Sequence, residues 1–473
     1  MPGAAKGCGK AGKPARTRGR DMRKDGYVSQ YARMTEEPIP KLIARLSVPT
    51  ILSMLVTNIY NLVDTAFVGQ LGTSQSAAVG VIFGYMAVLQ AVGFMFGQGA
   101  GSIAARLLGS RDGEQASRTA STGVICSFGI GVLLSLACFP MIDRIVRFLG
   151  STETSAPYAK EYMTYILIAA PAMTGGYTLN NLLRYEGKAA LGMVGLMTGA
   201  ILNIALDPIL MFALNLGIAG AAMATAFSQV VSFLILLSMF LRGKTTLRLS
   251  LRKTAPGIRS VLNIASTGLP SMLRQVLNSV ATILLNSQAS FYGDEAVAAM
   301  SIVSRITFFA FALALGIGQG FQPVSAFNYG AKKYDRLVSA FRFTVLAAEG
   351  ILIAVAGAGF LFSDRLIGLF RDDPRVIEIG TRALRLQFSA LVFLPFTMAV
   401  EMLYQSTGHR LGASLLSSAR SGLFFIPSLL ILSAVRGLSG IQEAQPLAYI
   451  LAFPLSLWFV FRFMRSIRGG DEA

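Results

Sequence analysis

PTILSMLVTNIYNLVDTAFVGQLG, residues 49–72, decides how the rest of the chain is read. The stretch is apolar and exceeds the roughly 20 residues a helix needs to cross a bilayer. It carries a lone acid, Asp64, inside the apolar run. An aspartate at the centre of a membrane helix costs roughly 2.5–3.5 kcal/mol on insertion scales. Such a residue is a functional candidate that faces the protein interior or a wet cavity. Tyr60 lies one helical turn before it and Asn58 near the same face, so the acid has polar company. Pro49 removes a backbone donor and so bends the helix or starts it.

The surrounding composition agrees. Charged residues make up 14% of the 473 and the mean hydropathy is +0.58, whereas soluble proteins carry about 25% charge. Apolar runs recur from about residue 42 to residue 464, too many for a single anchor. The fold class expected is an all-α integral membrane protein of about twelve transmembrane helices. The net charge of +18 sits in loops and tails between the apolar runs. It is therefore read as a positive-inside signal, not as a nucleic-acid surface. Cys8, Cys126 and Cys138 have no metal-ligand spacing, and His409 is the only histidine. This excludes a zinc, haem or Cys–His enzyme. Residues 1–40 are basic and rich in Gly and Ala, with no apolar segment of the signal-peptide kind. They read as a disordered cytosolic tail in reach of anionic lipid.

The helices are placed at 42–69, 76–106, 116–146, 158–184, 190–214, 216–242, 258–291, 296–328, 337–369, 377–407, 411–436 and 440–466. Basic loops, including those with Arg106/Arg111/Arg118 and Arg184/Lys188, alternate with neutral, acidic or mixed ones. Both termini fall on the basic side, which places a multi-pass protein in the cell inner (plasma) membrane with both ends cytoplasmic. Shifting the chain by 221 residues lays Pro49 on Pro270, Gly72 on Gly293, Gly97-Gln98-Gly99 on Gly318-Gln319-Gly320 and Gly109 on Gly330. Gly187 likewise meets Gly408. Two six-helix lobes of the same orientation follow, related by a pseudo-two-fold axis along the membrane normal, with a cavity between them. The division expected is a tail at 1–40, an amino-terminal lobe at 41–242, a linker at 243–259, a carboxy-terminal lobe at 260–465 and a tail at 466–473.

The halves match in glycine and proline but not in acid. Leu285 stands where the first half has Asp64, and Pro427 or Ser428 where it has Asp207. Asn203 lies four residues before Asp207 and shares its face, and Pro208 follows and opens the hydrogen-bond ladder. With Thr225, Ser228 and Asn180 on neighbouring helices, these residues make one polar pocket if the helices bundle. Its oxygen ligands suit a hard cation such as Na⁺ at Asp64, Asn203, Asp207 and Thr225. The paired acids can carry H⁺ instead, and a coupled titration belongs to the pair. The bland alternative is that Asp207 caps a bent helix and Asp64 satisfies a neighbour. In the second half, Glu401 is expected either to pair with Arg305 or Arg420 or to line the cavity and attract cations. Arg305, and Gln319 in the GQG echo, are further cavity candidates, and Glu349 has no account. The glycine runs read as close helix packing. The Walker lysine and serine are absent, which argues against a phosphate loop.

These residues resemble the multidrug and toxic compound extrusion transporters over residues 40–465. The resemblance is carried by P-x14-D-x4-G-x2-G from Pro49 to Gly72, GQGAG with its echo GQG, LNIALDPILMF followed by GIAGAAMATAFSQ, and FNYGAKKYDR. It implies a V-shaped pair of six-helix lobes and antiport of amphipathic organic cations against H⁺ or Na⁺. It implies a coupling site at Asp64 and Asp207, with Asn203 and Thr225 beside them. Tyr60 and Asn180 fall in the surrounding network and Pro49 at the bend of the first helix. One branch of the family carries a glutamate on the seventh helix; here that helix has Arg274 and no acid, which favours the first lobe. The partners implied are small-molecule amphipathic cations and the lipid bilayer, with no nucleic acid, no cofactor beyond the coupling ion, and a monomeric protein that is not an enzyme. The rival reading is a flippase for lipid-linked saccharide, for which Arg274, Arg305 and Arg420 would meet a pyrophosphate.

Overall fold

The structure, a computed structural model, describes residues 28–250, 252, 254 and 257–469. These residues are helical almost throughout. Helix α1 covers 28–36. The amino-terminal lobe follows with α2 (Ile39–Leu71), α3 (Thr73–Gly109), α4 (Gly113–Cys138), α5 (Ile142–Phe148), α6 (Ala156–Tyr185), α7 (Ala189–Pro208) and α8 (Gly217–Leu241). The carboxy-terminal lobe holds α9 (Ile258–Ser290), α10 (Asp294–Gly330), α11 (Tyr334–Leu361), α12 (Ser363–Gly368), α13 (Pro374–Ala390), α14 (Leu394–Thr407), α15 (Arg410–Ser418), α16 (Phe425–Arg436) and α17 (Leu438–Gly469).

Ten helical stretches among the described residues are long and apolar enough to cross a membrane. Two more, α6 and α9, are as long but more polar, because Asn180 and Arg184 on one and Arg274, Gln275 and Asn278 on the other face a central cavity. Together they make six spans per lobe. The third expected helix breaks at Phe139, where Pro140 removes a backbone donor and α5 takes over. The ninth ends at Leu361, eight residues early, and the short α12 follows.

Turn glycines carry the internal repeat. Gly72 and Gly293 join the first two helices of each lobe at φ 133° and 96°, and Gly187 and Gly408 recur at φ 77° and 93°. A side chain at these positions is strained, so the same residue type returns at the same place in both halves.

The lobes meet along a seam on the side of the basic loops. A Cβ on Gly109 would stand 2.1 Å from the Phe327 carbonyl oxygen, and one on Gly330 would stand 2.0 Å from that of Arg106. The same reciprocity relates Gly99, which abuts Ile264 and Gly268, to Gly320, which abuts Ser47. Each contact maps onto its partner by the 221-residue shift, so the pseudo-two-fold axis passes through the seam. Ser102 Oγ ties it further, donating to the carbonyls of Gln405 and Ser406 at 3.1 Å.

Helix α1 departs from the disordered tail expected for 1–40. Met34 is fully buried, Gln30 donates to the Glu186 carbonyl at 2.6 Å and Arg33 to that of Gly187 at 3.0 Å. From the other lobe Asn328 donates to the Met34 carbonyl at 3.1 Å, and the Tyr31 ring meets Phe327 edge-on at 5.6 Å. The helix therefore straps the basic ends of both lobes together. Residues 1–27, with Cys8, and 470–473 lie outside the described residues. A net hydrogen bond contributes about 1 kcal/mol. Losing two across the seam corresponds to a roughly thirtyfold rise in the population open on this side. Deleting residues 1–36 is thus expected to raise by that order the thiol-labelling rate of a cysteine placed at the buried Ser325, in a background without native cysteines. Unchanged labelling would mean the strap contributes nothing to closure.

Candidate functional site

Asp64 and Asp207 come together inside the amino-terminal lobe. Asp64 projects from α2, and Asp207 ends α7 where Pro208 and the π-helical turn Ile209–Ala213 interrupt regular bonding. Both are buried, at 2% and 0% exposure. Their carboxyl groups lie within hydrogen-bonding range of each other, so one proton can be shared between them. Asn203 Nδ2 donates to Asp207 Oδ1 at 3.2 Å and to Thr225 Oγ1 at 3.3 Å, and Tyr162 OH lies 3.5 Å from that hydroxyl. These bonds turn the Asn203 carbonyl oxygen free. Asp64 Oδ1, Asp207 Oδ2, Asn203 Oδ1 and Ser228 Oγ are all buried without a protein hydrogen-bond partner. Four orphan oxygens in one niche, two of them carboxylate, suit a hard cation or a proton. Among the described residues no arginine or lysine is ion-paired to either acid.

The second feature is a cavity of about 510 Å³ between the lobes. Asn203, Thr225 and Ser228 reach it from the acid niche, whereas the two acids do not line it. Tyr60, one turn before Asp64, faces the cavity with its hydroxyl at the Gln229 side chain. Asn180 stands on the wall against Gly192 and makes no hydrogen bond to either acid among the described residues. Pro49 lies ten residues inside α2, so it does not start that helix. Around it, the Thr50 and Ser53 hydroxyls bond back to carbonyls four residues earlier, at 2.8 and 2.7 Å, an arrangement that bends helices.

Three expectations for the second lobe are corrected. Glu401 pairs with Arg274 rather than with Arg305 or Arg420, because α9 packs against α14 and both groups are buried there. Glu401 does not line the cavity. Arg305 falls on the outer side of α10, between the inward-facing Val303 and Ala310, and is exposed. Arg420 does reach the cavity, from the π-helical stretch Ala419–Phe424, and lies over the Phe311 ring at 4.6 Å. Gln319 lines the cavity as expected and accepts a hydrogen bond from Arg184. Glu349, on α11, is half-buried, and its Oε2 is buried without a protein hydrogen-bond partner.

Arg184 escaped the sequence reading, which counted it with the loop charges. It belongs to the last turn of α6, is 4% exposed and bonds Asn181 Oδ1 at 2.5 Å. Its one signal was position: it directly follows TLNNLL, an unusually polar end for a spanning helix. Tyr162 carried no signal, since nothing distinguishes it from Tyr158 and Tyr165 near the start of the same helix.

The chain has relatives among known proteins. The MatE family matches residues 49–209 and 270–427. The two segments begin at Pro49 and Pro270, the positions related by the internal repeat. The multidrug export protein MepA of Staphylococcus aureus is 26% identical over 407 residues, covering 86% of this chain and 90% of that protein. A multidrug resistance MATE family transporter of the MOP superfamily, solved in an outward-facing conformation, superposes with a TM-score of 0.86 at 30% identity, over 92% of this chain and 98% of its own. A MOP superfamily transporter from Pyrococcus furiosus, for which a reverse polarity of the binding pocket is described as suggesting a different function, gives 0.86 at 29% identity over the same shares. The chain belongs to the MatE family, the multidrug and toxic compound extrusion transporters, which move substrates across membranes and are not enzymes.

Proposed function

We propose that the protein is a secondary antiporter of the plasma membrane, which exports amphipathic compounds in exchange for H⁺ or Na⁺ bound at Asp64 and Asp207. The observation that carries this reading is the pair of buried carboxyl groups with orphan oxygens in one lobe only. The fold does not require them, since Leu285 occupies the repeat-related position of Asp64 in the other lobe. The drug-export role of MepA supports the substrate side of the proposal.

Helix α2 links the two features. Ser47 and Ile51 lie in the seam, against Gly320 and Gly316, and Asp64 lies in the acid niche. At 1.5 Å per residue these points are roughly 25 Å apart on one helix. An ion that binds better to one packing of α2 therefore biases the seam, and only that difference in affinity can do so. With the basic face cytoplasmic, the sealed seam corresponds to an outward-facing state.

Proteoliposomes under an imposed Na⁺ gradient or an imposed pH gradient test the reading. Movement of an amphipathic fluorophore under one gradient, and not without it, is the expected result and names the ion. Absence of movement under either gradient would sink it. Pocket polarity bears on the substrate class, as is described for the Pyrococcus furiosus relative itself.

A further inference from the structure

The cavity between the lobes is built for negative charge. Arg184 and Arg420 both line it, are 4% and 7% exposed, and have no carboxylate partner among the described residues. Arg274 lines it too and lies close enough to Arg184 to repel it, but its charge is matched by Glu401. No aspartate or glutamate lines the cavity among the described residues. The net wall charge is therefore positive.

The orphan atoms divide by chemistry. In the acid niche they are oxygens; on this wall they are the donors Arg184 Nε, Gln319 Nε2 and Arg420 Nη2. The Gln319 amide is oriented by its own bond, since its Oε1 accepts from Arg184. Three buried N–H donors and two unmatched guanidinium groups cost free energy unless an acceptor meets them. Arginine forks match the geometry of carboxylate, sulfonate and phosphate oxygens. Uncharged polar side chains make up much of the remaining lining, and Met54, Phe94, Phe308 and Phe425 add apolar contact that is tolerant of shape.

We propose that the cavity takes an amphipathic substrate by an anionic group, drawn by the unmatched guanidinium groups of Arg184, beside Gln319, and of Arg420, with its apolar body against the Met and Phe side chains. This departs from the cationic substrate implied by the family resemblance, and it deepens the exporter reading, on which it rests. The ion and the substrate then occupy compartments of opposite polarity: the cation in the lobe, the anion between the lobes.

The test uses the full-length protein in nanodiscs and three dansyl-tagged long-chain probes that differ only in the end group: carboxylate, trimethylammonium and alcohol. The carboxylate is expected to bind most tightly. Arg420→Gln and Arg184→Gln are each expected to weaken it by roughly tenfold to a hundredfold, to leave the alcohol unchanged, and Arg420→Lys to recover part of the loss. Ammonium binding equal to or tighter than carboxylate would overturn the proposal. So would an equal loss for all three probes, which marks a structural defect. Two transport arms separate the sources of the anion: leaflet exchange of fluorescent phosphatidylglycerol assigns a lipid headgroup, and release of the dansyl carboxylate alone assigns a free amphiphile. Gradient-driven movement of the ammonium probe with no preference for carboxylate defeats this proposal and leaves the antiporter intact. Carboxylate-selective binding with no gradient-driven movement of any probe defeats the antiporter and leaves the anion site.

Discussion

Asp64→Asn is expected to reduce gradient-driven transport to the level of protein-free liposomes while the protein still inserts and elutes as the parent does. The expectation follows from what surrounds the acid. Asp64 is 2% exposed and its Oδ1 has no protein donor, so asparagine of the same shape removes a buried charge and strands no partner. Breaking a buried pair costs about 3–5 kcal/mol when a charge is left alone, but here no side-chain cation is left. Folding should thus hold, and the thermal midpoint should stay or rise. Coupling should not, because a single carboxylate at Asp207 cannot share a proton with its neighbour or supply a second charged oxygen to Na⁺. Without ion-dependent stabilisation of one packing of α2, the gradient has no purchase on the seam. Asp207→Asn should behave the same way, with the contact to Asn203 Nδ2, now 3.2 Å, preserved by the amide oxygen. Gradient-driven uptake and a melt of each purified variant decide the matter. Uptake at the parental rate in Asp64→Asn would remove this residue from the mechanism.

The acids, the lobes and the turn glycines were legible in the sequence for a common reason: each is a local demand. An aspartate in an apolar run is costly wherever the helix packs. A turn at φ 133° wants glycine at residue 72, and the same turn at φ 96° wants it again at 293. The pairing of Arg274 with Glu401 was not legible. The two residues are 127 positions apart, and which arginine meets the glutamate depends on the rotation of α9 against α14. Arg184 was missed on similar grounds: a basic residue near a helix end reads as a loop charge until the neighbouring lobe is seen to bury it. The strap formed by α1 is amphipathic over too few turns to show a period, and only its hydrogen bonds to both lobes give it away. What the sequence leaves open is therefore the contact between elements, and that includes the charge on the cavity wall.

Gly268→Ala is expected to open the seam on the basic side. A Cβ at this position would lie 1.7 Å from the Met95 carbonyl oxygen, 2.6 Å from its carbon and 3.0 Å from the Gly99 nitrogen. These are backbone atoms of α3, so no side chain can turn aside, and α3 and α9 must part. Overpacking of this kind costs roughly 1–3 kcal/mol where the structure can yield, a shift of about fivefold to 150-fold in favour of a state in which the lobes are separated here. The penalty falls on the closed state alone, since nothing opposes the added methyl once α3 has moved away. Spin labels at the exposed Ser110 and Asp335, one on each lobe beside the seam, should report a second and longer distance in the variant. Gly80→Ala, on the same α3 helix with nothing within 4 Å of its Cβ, is the control and should leave the parental distance alone. If Gly268→Ala kept the single parental distance, the seam would have to absorb a methyl group without parting, and the account of closure by glycine contact would fail. Transport should slow with the opening, because a carrier held on one side completes fewer cycles even when its ion and substrate sites are intact.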